Sequence, residues 1–482
     1  MLRISSTLLL LSLSVIGFAQ VTVKEGTIPI NLNTRTDSLT VINGTAPGAA
    51  GKTIKLSAPG DLLTFMEKPL ANTIIGSDGK FSLSLKTGQT MVAVLSINFH
   101  KAEIFIEPNK THRVLIDSIN YNDIQEINPF IQSQNLKLQI LFEEPYDLNF
   151  MIGEYNGMYN AFLLDNFNAL YRDRDKVKVD TFRVQSNTRF GMVPSAYFKS
   201  YMVYKIASLE QLTRYYSAAE LARRYFIGKP VLYLNLEYMD FFNSYFSKYL
   251  TVTSKILHLT DYKPILKGPD PYTVMMKTLA ADTILKNEQL RELVLLKGIL
   301  EMNNMADYKQ DELLTVIRSV AERSQYPDNR TIAENMISQM TKLKPGTAAP
   351  GFTLVNRYKN MVSLKDFKGK PVVLSFWTTY CQGCLSEMDL IKPLYDKYKG
   401  KVEFISISAD ADFNKMVMFV NMKKNFVWSF LHIGDQSEVL SNYDVRSYPL
   451  FVLIDKSGKI YKYNAEQPGN GLDSAIETML QE

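Results

Sequence analysis

The chain has 482 residues, room for roughly two to four domains of about 100–200 residues each. Its 46% hydrophobic and 21% charged content is that of a folded globular protein, not of a disordered chain. The net charge of +5 comes without a dense lysine and arginine cluster, which argues against nucleic acid, and two cysteines exclude a disulfide-rich scaffold.

Residues 1–19 read as a signal peptide. Arg3 precedes an apolar run over residues 8–16, and Gly17 and Ala19 are the small residues of a cleavage site after Ala19. The run is too short to span a bilayer, which needs about 20 apolar residues. No cysteine stands at the cleavage point to carry a lipid, and no later stretch is long and apolar enough to cross. The expectation is an exported, periplasmic protein without a stable membrane span.

Residues 20–120 alternate short strand-like runs with turns, which predicts an all-β sandwich. The runs are SLTVING (38–44), KTIKLSA (52–58), KFSLSL (80–85), MVAVLSI (91–97), AEIFIEP (102–108) and HRVLID (112–117). Asp78-Gly79, between NTII (72–75) and KFSLSL, predicts a two-residue hairpin turn. APGAAGKT (46–53) fits a relaxed phosphate-binding loop, but that motif needs a helix directly after it. The following residues alternate like a strand, so a β-turn is expected there.

Residues 121–343 shift to helical spacing, clearest over 287–302, 310–324 and 329–344. The aromatic stretches RRYF (223–226) and EYMDFFNSYF (237–246) fit helix core better than a ligand groove. Gly268-Pro269-Asp270-Pro271 is expected to mark a joint between subdomains. LKPGTAAP (343–350) reads as a linker, and residues 344–482 then alternate strand and helix. Strands are predicted at 371–377 and 401–408, helices at 385–398 and 414–424, a hairpin from 449–455 to 459–463, and a final helix at 472–480. A parallel strand–helix unit leading into an antiparallel hairpin is an α/β layout.

Cys381 and Cys384 stand in SFWTTYCQGCLSEM (375–388), directly after an apolar strand and opening a helix. A C-x-x-C pair in that place reads as a redox motif. At a helix N-terminus the free amides and the dipole favour the Cys381 thiolate. Cys384, one turn on, is placed to attack a mixed disulfide and release the partner. As a staple the pair is poor, because so small a loop removes little chain entropy. Zinc would need two further ligands, and His100, His112, His258 and His432 have no ligand spacing.

Glu387 is three residues past Cys384, on the same helix face. Two readings stand: a carboxylate that raises a thiol pKa or moves its proton, and an exposed first-turn glutamate favoured by the dipole. Pro449 opens a strand after Tyr448, and a cis bond there would set an open backbone edge beside Cys381.

Residues 346–482 resemble the TlpA/ResA-like branch of the thioredoxin superfamily, exported thiol–disulfide oxidoreductases. The matching features are Ala349-Pro350-Gly351-Phe352-Thr353-Leu354, Leu364-Lys365-Asp366-Phe367-Lys368-Gly369-Lys370, Phe376-Trp377, Cys381 and Cys384 with Glu387, Tyr448-Pro449, and Leu453-Ile454-Asp455 with Gly458. The resemblance implies Cys381 as nucleophile, Cys384 as resolving thiol, their reversible disulfide, Glu387 as pKa modulator and Pro449 as the cis-proline. It also implies partner contacts at Trp377, Tyr380 and Tyr448. Tyr380 replaces the family's frequent tryptophan, Asp389 its usual proline, and Gln382-Gly383 matches neither strong oxidants nor strong reductants. The remaining chain resembles, more weakly, proteins of Bacteroidota that place a β-sandwich and a helical region before such a domain.

The fold class expected is thus multidomain, a thioredoxin-like α/β domain behind an all-β sandwich and a mainly α-helical region. The function expected is disulfide exchange with cysteine-containing client proteins, as a reductase supplied by a separate electron-donor protein of the envelope, with no cofactor and no metal. A thiol peroxidase is the nearest rival, with Thr378 three residues before Cys381, but Leu374 stands where its P-x-x-x-T-x-x-C pattern needs proline. An envelope binding or scaffold protein with a secondary thioredoxin domain is the alternative from another class.

Overall fold

The computed structural model describes residues 37–98, 100–117, 134–142, 144–410, 412–434, 436 and 438–481. The signal peptide assigned to 1–19, like residues 20–36 and 121–133 of the next two assigned regions, lies outside the described residues.

The strands begin with β1 (Ser38–Thr45), β2 (Thr53–Pro59), β3 (Glu67–Ile74), β4 (Lys80–Thr87), β5 (Met91–Ile97), β6 (His100–Ile106) and β7 (Thr111–Ile116). Two short strands, β8 (Gln134–Asn135) and β9 (Leu138–Leu141), follow within the segment the sequence assigns to the helical region. They complete two sheets, ordered β4-β1-β7-β9 and β3-β2-β5-β6-β8. Period-two patterning fills the space between the sheets: β4 turns Phe81, Leu83 and Leu85 inward and its lysines and serines outward. Ile42, Leu56, Leu95, Ile104 and Val114 meet them in one core. Gly44 permits this closeness, since a Cβ there would lie 2.3 Å from Phe81 Cζ.

The turn at Asp78-Gly79 forms, with Gly79 at φ 76° and Asp78 accepting from the Lys80 amide. It is not the hairpin expected. β3 pairs with β2 and β4 with β1, so the turn carries the chain from one sheet to the other. β3 has no fully buried residue and suits a sheet edge, whereas the inward apolar row of β4 belongs to the opposite sheet. At 46–53 a short turn, Pro47–Ala49, leads into β2, so no helix follows Lys52 and Thr53.

Seven of the helices after residue 147 illustrate side-chain capping. Asp147, Asp175, Ser195, Ser217, Asn235, Asp270 and Asn287 each accept a backbone N–H of the first turn. Gly268-Pro269-Asp270-Pro271 is therefore a helix start, with Asp270 as cap and Pro271 in the first turn, where a missing N–H is harmless. It is not a subdomain joint: Tyr262 and Leu266 before it and Met275 and Leu279 after it share one core. The helix predicted over 329–344 spans Pro327–Thr341. Tyr225, Phe226, Phe241, Phe242 and Phe246 are buried core in ring-to-ring contact, Phe226 stacked on Phe241 and Tyr225 edge-on to it.

That core reaches into the sheets. Leu62, Leu63, Val92 and Phe105 belong to it, and the Phe105 ring meets Tyr197 and Tyr201 edge-on. Asn149 satisfies both backbone groups of Phe105, at 2.6 and 2.8 Å. Asp61 holds its own loop through the Leu63 and Thr64 amides and accepts from Asn335 at 2.7 Å.

The last sheet comprises β10 (Thr353–Asn356), β11 (Met361–Ser363), β12 (Val372–Trp377), β13 (Glu403–Ser408), β14 (Ser429–His432), β15 (Leu450–Ile454) and β16 (Ile460–Lys462). Its order is β11-β10-β14-β13-β12-β15-β16. β12 is parallel to β13 and β15 antiparallel to β16, as the sequence predicts, and β12 also pairs antiparallel with β15. Every residue of β12 is buried: Val372, Leu374 and Phe376 face one core, Val373 and Trp377 the other. The stretch predicted as a linker is zipped onto this domain. Gly346 donates to the Ile460 carbonyl, Ile460 to that of Thr347 and Ala349 to that of Gly458. The architecture is thus a thioredoxin-like α/β domain behind β-rich sheets and a helical region, the class read from the sequence.

Candidate redox site

β12 delivers the chain at Trp377 into a tight turn, Thr378–Thr379–Tyr380, and the helix Gln382–Tyr398 begins directly after it. It starts three residues earlier than periodicity indicates because Cys381 is its cap. The Cys381 sulfur accepts from the Cys384 amide at 3.1 Å, and the Cys381 amide donates to the Thr378 carbonyl at 3.3 Å. Cys381 and Cys384 are joined as a disulfide, with Cα atoms 5.2 Å apart. The two sulfurs differ in access: Cys381 is half-buried, whereas Cys384 is 1% exposed within the core.

That asymmetry has a chemical meaning. A thiolate at Cys381 keeps the Cys384 N–H as a hydrogen-bond donor and lies at the positive end of a 17-residue helix. Both favour the charged form. A sulfur as enclosed as Cys384 is reached only by a group already seated at Cys381.

Glu387 is half-buried, one turn beyond Cys384, and its carboxylate accepts from the Gly469 amide at 3.2 Å. It therefore ties the cysteine helix to the turn Pro468–Asn470. The Tyr448–Pro449 peptide is cis, immediately before β15. Tyr448 is half-buried and packs against both cores, and burial, with the Tyr380 phenol and the Asp410 carboxylate next, pushes its phenol well above the usual tyrosine range. Tyr380 is exposed beside the cysteines in sequence.

Trp377 requires a correction. It is 1% exposed, with its ring against Phe419 and Phe430, so it offers no surface to a partner. As the last residue of β12, an interior strand between β13 and β15, it points into the core instead. Asp389, standing at the family's proline position, forms a surface ion pair with Lys423 at 3.5 Å.

One residue escaped the sequence reading. Asp410 is 1% exposed and accepts from the amide and hydroxyl of Thr379, two residues before Cys381. The only signal was an acidic residue two positions beyond the strand-like run KVEFISIS, where a solvated loop would ordinarily begin. Among the described residues no cluster of three or more His, Cys, Asp or Glu side chains is arranged to hold a metal, and no helix is long and apolar enough to cross a membrane. A cavity of about 430 Å³ lies in the helical region between Arg214, Tyr216, Leu221, Tyr245 and Tyr249, and no residue of the cysteine site lines it.

Residues 345–463 match the AhpC/TSA family. The thiol-disulfide oxidoreductase ResA of Bacillus cereus is 36% identical over 150 residues, which is 30% of this chain and 85% of that protein. The protein of the same name from Geobacillus kaustophilus is 33% identical over 132 residues, 27% of this chain and 74% of its own length. Among solved structures, the thioredoxin domain of a thiol-disulfide oxidoreductase from Bacteroides vulgatus is 26% identical, with 28% of this chain and 98% of that one covered and a TM-score of 0.26.

Proposed function

The chain belongs to the TlpA/ResA-like thiol–disulfide oxidoreductases, and from that premise we propose that it is an exported, periplasmic reductase of disulfides in client proteins. The observation that carries this reading is the unequal pair: a half-buried Cys381 sulfur capping a helix, with Cys384 enclosed behind it.

In the reduced protein the Cys381 thiolate attacks one sulfur of a client disulfide. A Cys381–client mixed disulfide forms, and the client's other sulfur leaves as a thiolate that takes a proton from water. Cys384, as thiolate, then attacks the Cys381 sulfur, closing the 381–384 disulfide and freeing the second client sulfur. Two electrons pass to the client. With no third cysteine in the chain, a separate dithiol protein must return them. Glu387 is proposed to take up the Cys384 proton, the open backbone at Pro449 to pair with the client's extended chain, and Tyr380 and Tyr448 to provide contact surface. The reductase direction follows the resemblance read from the sequence, and the lack of a third cysteine leaves the electrons to be supplied by a separate protein.

Trapping with Cys384→Ser tests the reading. Without its resolving thiol, Cys381 should retain clients as mixed disulfides that dithiothreitol releases and that Cys381→Ser abolishes. Recovery of no Cys381-dependent adduct would end the proposal, and an adduct with an oxidising partner alone would reverse its direction. The peroxidase reading has the family match but not the site: Thr378 is wholly buried and Leu374 holds the proline position. Peroxide consumption with a defined thiol reductant should stay at background. The aromatic segments that motivated a scaffold role are core.

A further inference from the structure

The exchange steps above leave Asp410 without a task, although it is the most enclosed carboxylate bonded to the cysteine loop. The β12–β13 ladder ends at Trp377 opposite Ser408, and the Ala409 amide donates to the Trp377 carbonyl at 2.9 Å. The chain then turns Asp410 back under the loop. Its two oxygens accept from the Thr379 amide at 3.0 and 3.1 Å, from the Thr379 hydroxyl at 2.6 Å and from the Ser408 hydroxyl at 2.7 Å. The Asp410 amide in turn donates to the Ser408 hydroxyl oxygen at 3.1 Å.

Both donors of Thr379 are thus held by one carboxylate, and the next turn bond, Cys381 N–H to the Thr378 carbonyl, builds on that anchor. A hydroxyl or amide acceptor would hold a turn at lower cost, because a buried charge must be fully hydrogen-bonded to be tolerated. What a carboxylate adds is its sign. A fixed negative charge near a thiol disfavours the thiolate and so opposes the dipole and the Cys384 amide. Tyr448, which flanks Pro449, feels the same charge.

We propose that Asp410 is a positioning residue for disulfide exchange: through Thr379 it fixes the corner from which Cys381 is presented, and its charge holds the pair on the reducing side. The inference deepens the reductase reading and rests on it. A less stable thiolate makes the dithiol the better electron donor, which is the direction proposed for this site.

Three variants of the full-length protein test it: D410N, T379V and T379S. Equilibration with reduced and oxidised glutathione reads the potential. Iodoacetamide alkylation of Cys381 against pH reads the thiolate, and thermal unfolding reads stability separately. D410N should move the glutathione equilibrium at least threefold toward the reduced protein and shift the alkylation midpoint to lower pH. A tenfold move corresponds to about 30 mV. T379V should slow reduction of a model disulfide at least threefold, and T379S, which keeps the hydroxyl, should restore it.

A purely structural Asp410 would lower the unfolding temperature of D410N and leave the equilibrium and the pH midpoint within threefold and unshifted. That result overturns the proposal. If D410N does not fold, T379V decides, and a wild-type rate there overturns it. Failure of the reductase reading itself looks different: a Cys384→Ser protein with Asp410 and Thr379 intact that retains no Cys381-dependent client adduct.

Discussion

Where the sheets meet the helices, Leu62, Leu63, Val92 and Phe105 enter the same core as Phe198, Tyr201 and Phe242, whereas the thioredoxin-like domain meets the rest through exposed polar contacts. Lys55 pairs with Glu438 at 2.8 Å, and Lys342 donates to the Ser441 carbonyl at 2.7 Å. Among the described residues, Leu343 at the end of the helical region is the one residue before 344 in the redox domain's buried clusters, and no residue beyond it enters those of the sheets and helices. Apolar burial contributes about 25 cal/mol per Å², while an exposed ion pair contributes ~0–1 kcal/mol. The sheets and helices are therefore expected to unfold as one cooperative unit and the redox domain as another. The part of the chain that carries the chemistry is held to its neighbour far more weakly than the neighbour's two halves are held together.

The sheet–helix unit should be most sensitive at Phe105. Phe105→Ala removes a buried ring shared by sheet and helices, and such a truncation costs about 3–5 kcal/mol. In urea unfolding followed by circular dichroism, the larger transition should move to lower denaturant, with disulfide exchange at the wild-type rate below it. If exchange activity is lost along with the larger unit, the joints are not independent.

Next in size is the buried pair Lys205–Glu237, 2.6 Å apart with both side chains enclosed and the ammonium over the Tyr159 and Tyr201 rings. Glu237→Gln strands a buried cation, a loss of about 3 kcal/mol by the usual penalty for breaking such a pair. Replacing both partners with apolar residues should recover much of it. Urea midpoints of the single and double variants measure the difference, and an unaltered midpoint in the single variant would make the pair dispensable.

These features were unequally legible in the sequence. Four of the redox domain's seven strands are legible, because β12 is a nearly unbroken apolar run and the Cys381 turn lies at a period change, whereas β10, β11 and β14, of three or four residues each, are too short to show a period. The sheets were read as strands but not as pairings: Asp78-Gly79 specifies a turn, yet which strand β4 joins depends on a partner, β1, far away in the chain. The shared core was invisible for the same reason, since Leu62, Leu63 and Phe105 look like ordinary strand and loop residues until helices cover them. Trp377 misled because nearness to a cysteine in sequence says nothing about which face of β12 a ring takes. Asp410 was missed because one loop aspartate carries no pattern until the backbone folds Thr379 over it.

A smaller effect separates the two units by pH. His112 on β7 is buried, and desolvation lowers its pKa, with Lys110 adding to that and Asp147 opposing it. A depressed histidine pKa means the unfolded chain binds the proton more readily. Its contribution is present above the unfolded value of about 6.5 and is lost as pH falls from there through the folded value. The sheet–helix transition should weaken over that window, and His112→Gln should flatten that part of the profile. A redox-domain transition weakening by the same His112-dependent amount would contradict the separation.

The smallest change should come from Lys55→Ala. The pair with Glu438 joins two units across 383 positions of sequence, and for that reason it invites the view that it fixes how the redox site faces the rest of the chain. Its energetics argue otherwise. Both side chains are well exposed, at 32% and 49%, so solvent and salt screen the attraction and ordering two long side chains offsets much of it. Loss of ~0.5 kcal/mol or less is expected, with the midpoints of both transitions and the exchange rate on a small model disulfide unchanged. A client protein that also touches the sheets would sense the altered joint where a small disulfide cannot. A slower rate with clients alone would then show that the long N-terminal part helps to seat them, and unchanged rates with both would confine the effect of this joint to stability and leave recognition to the surface around Cys381, Tyr380, Tyr448 and Pro449.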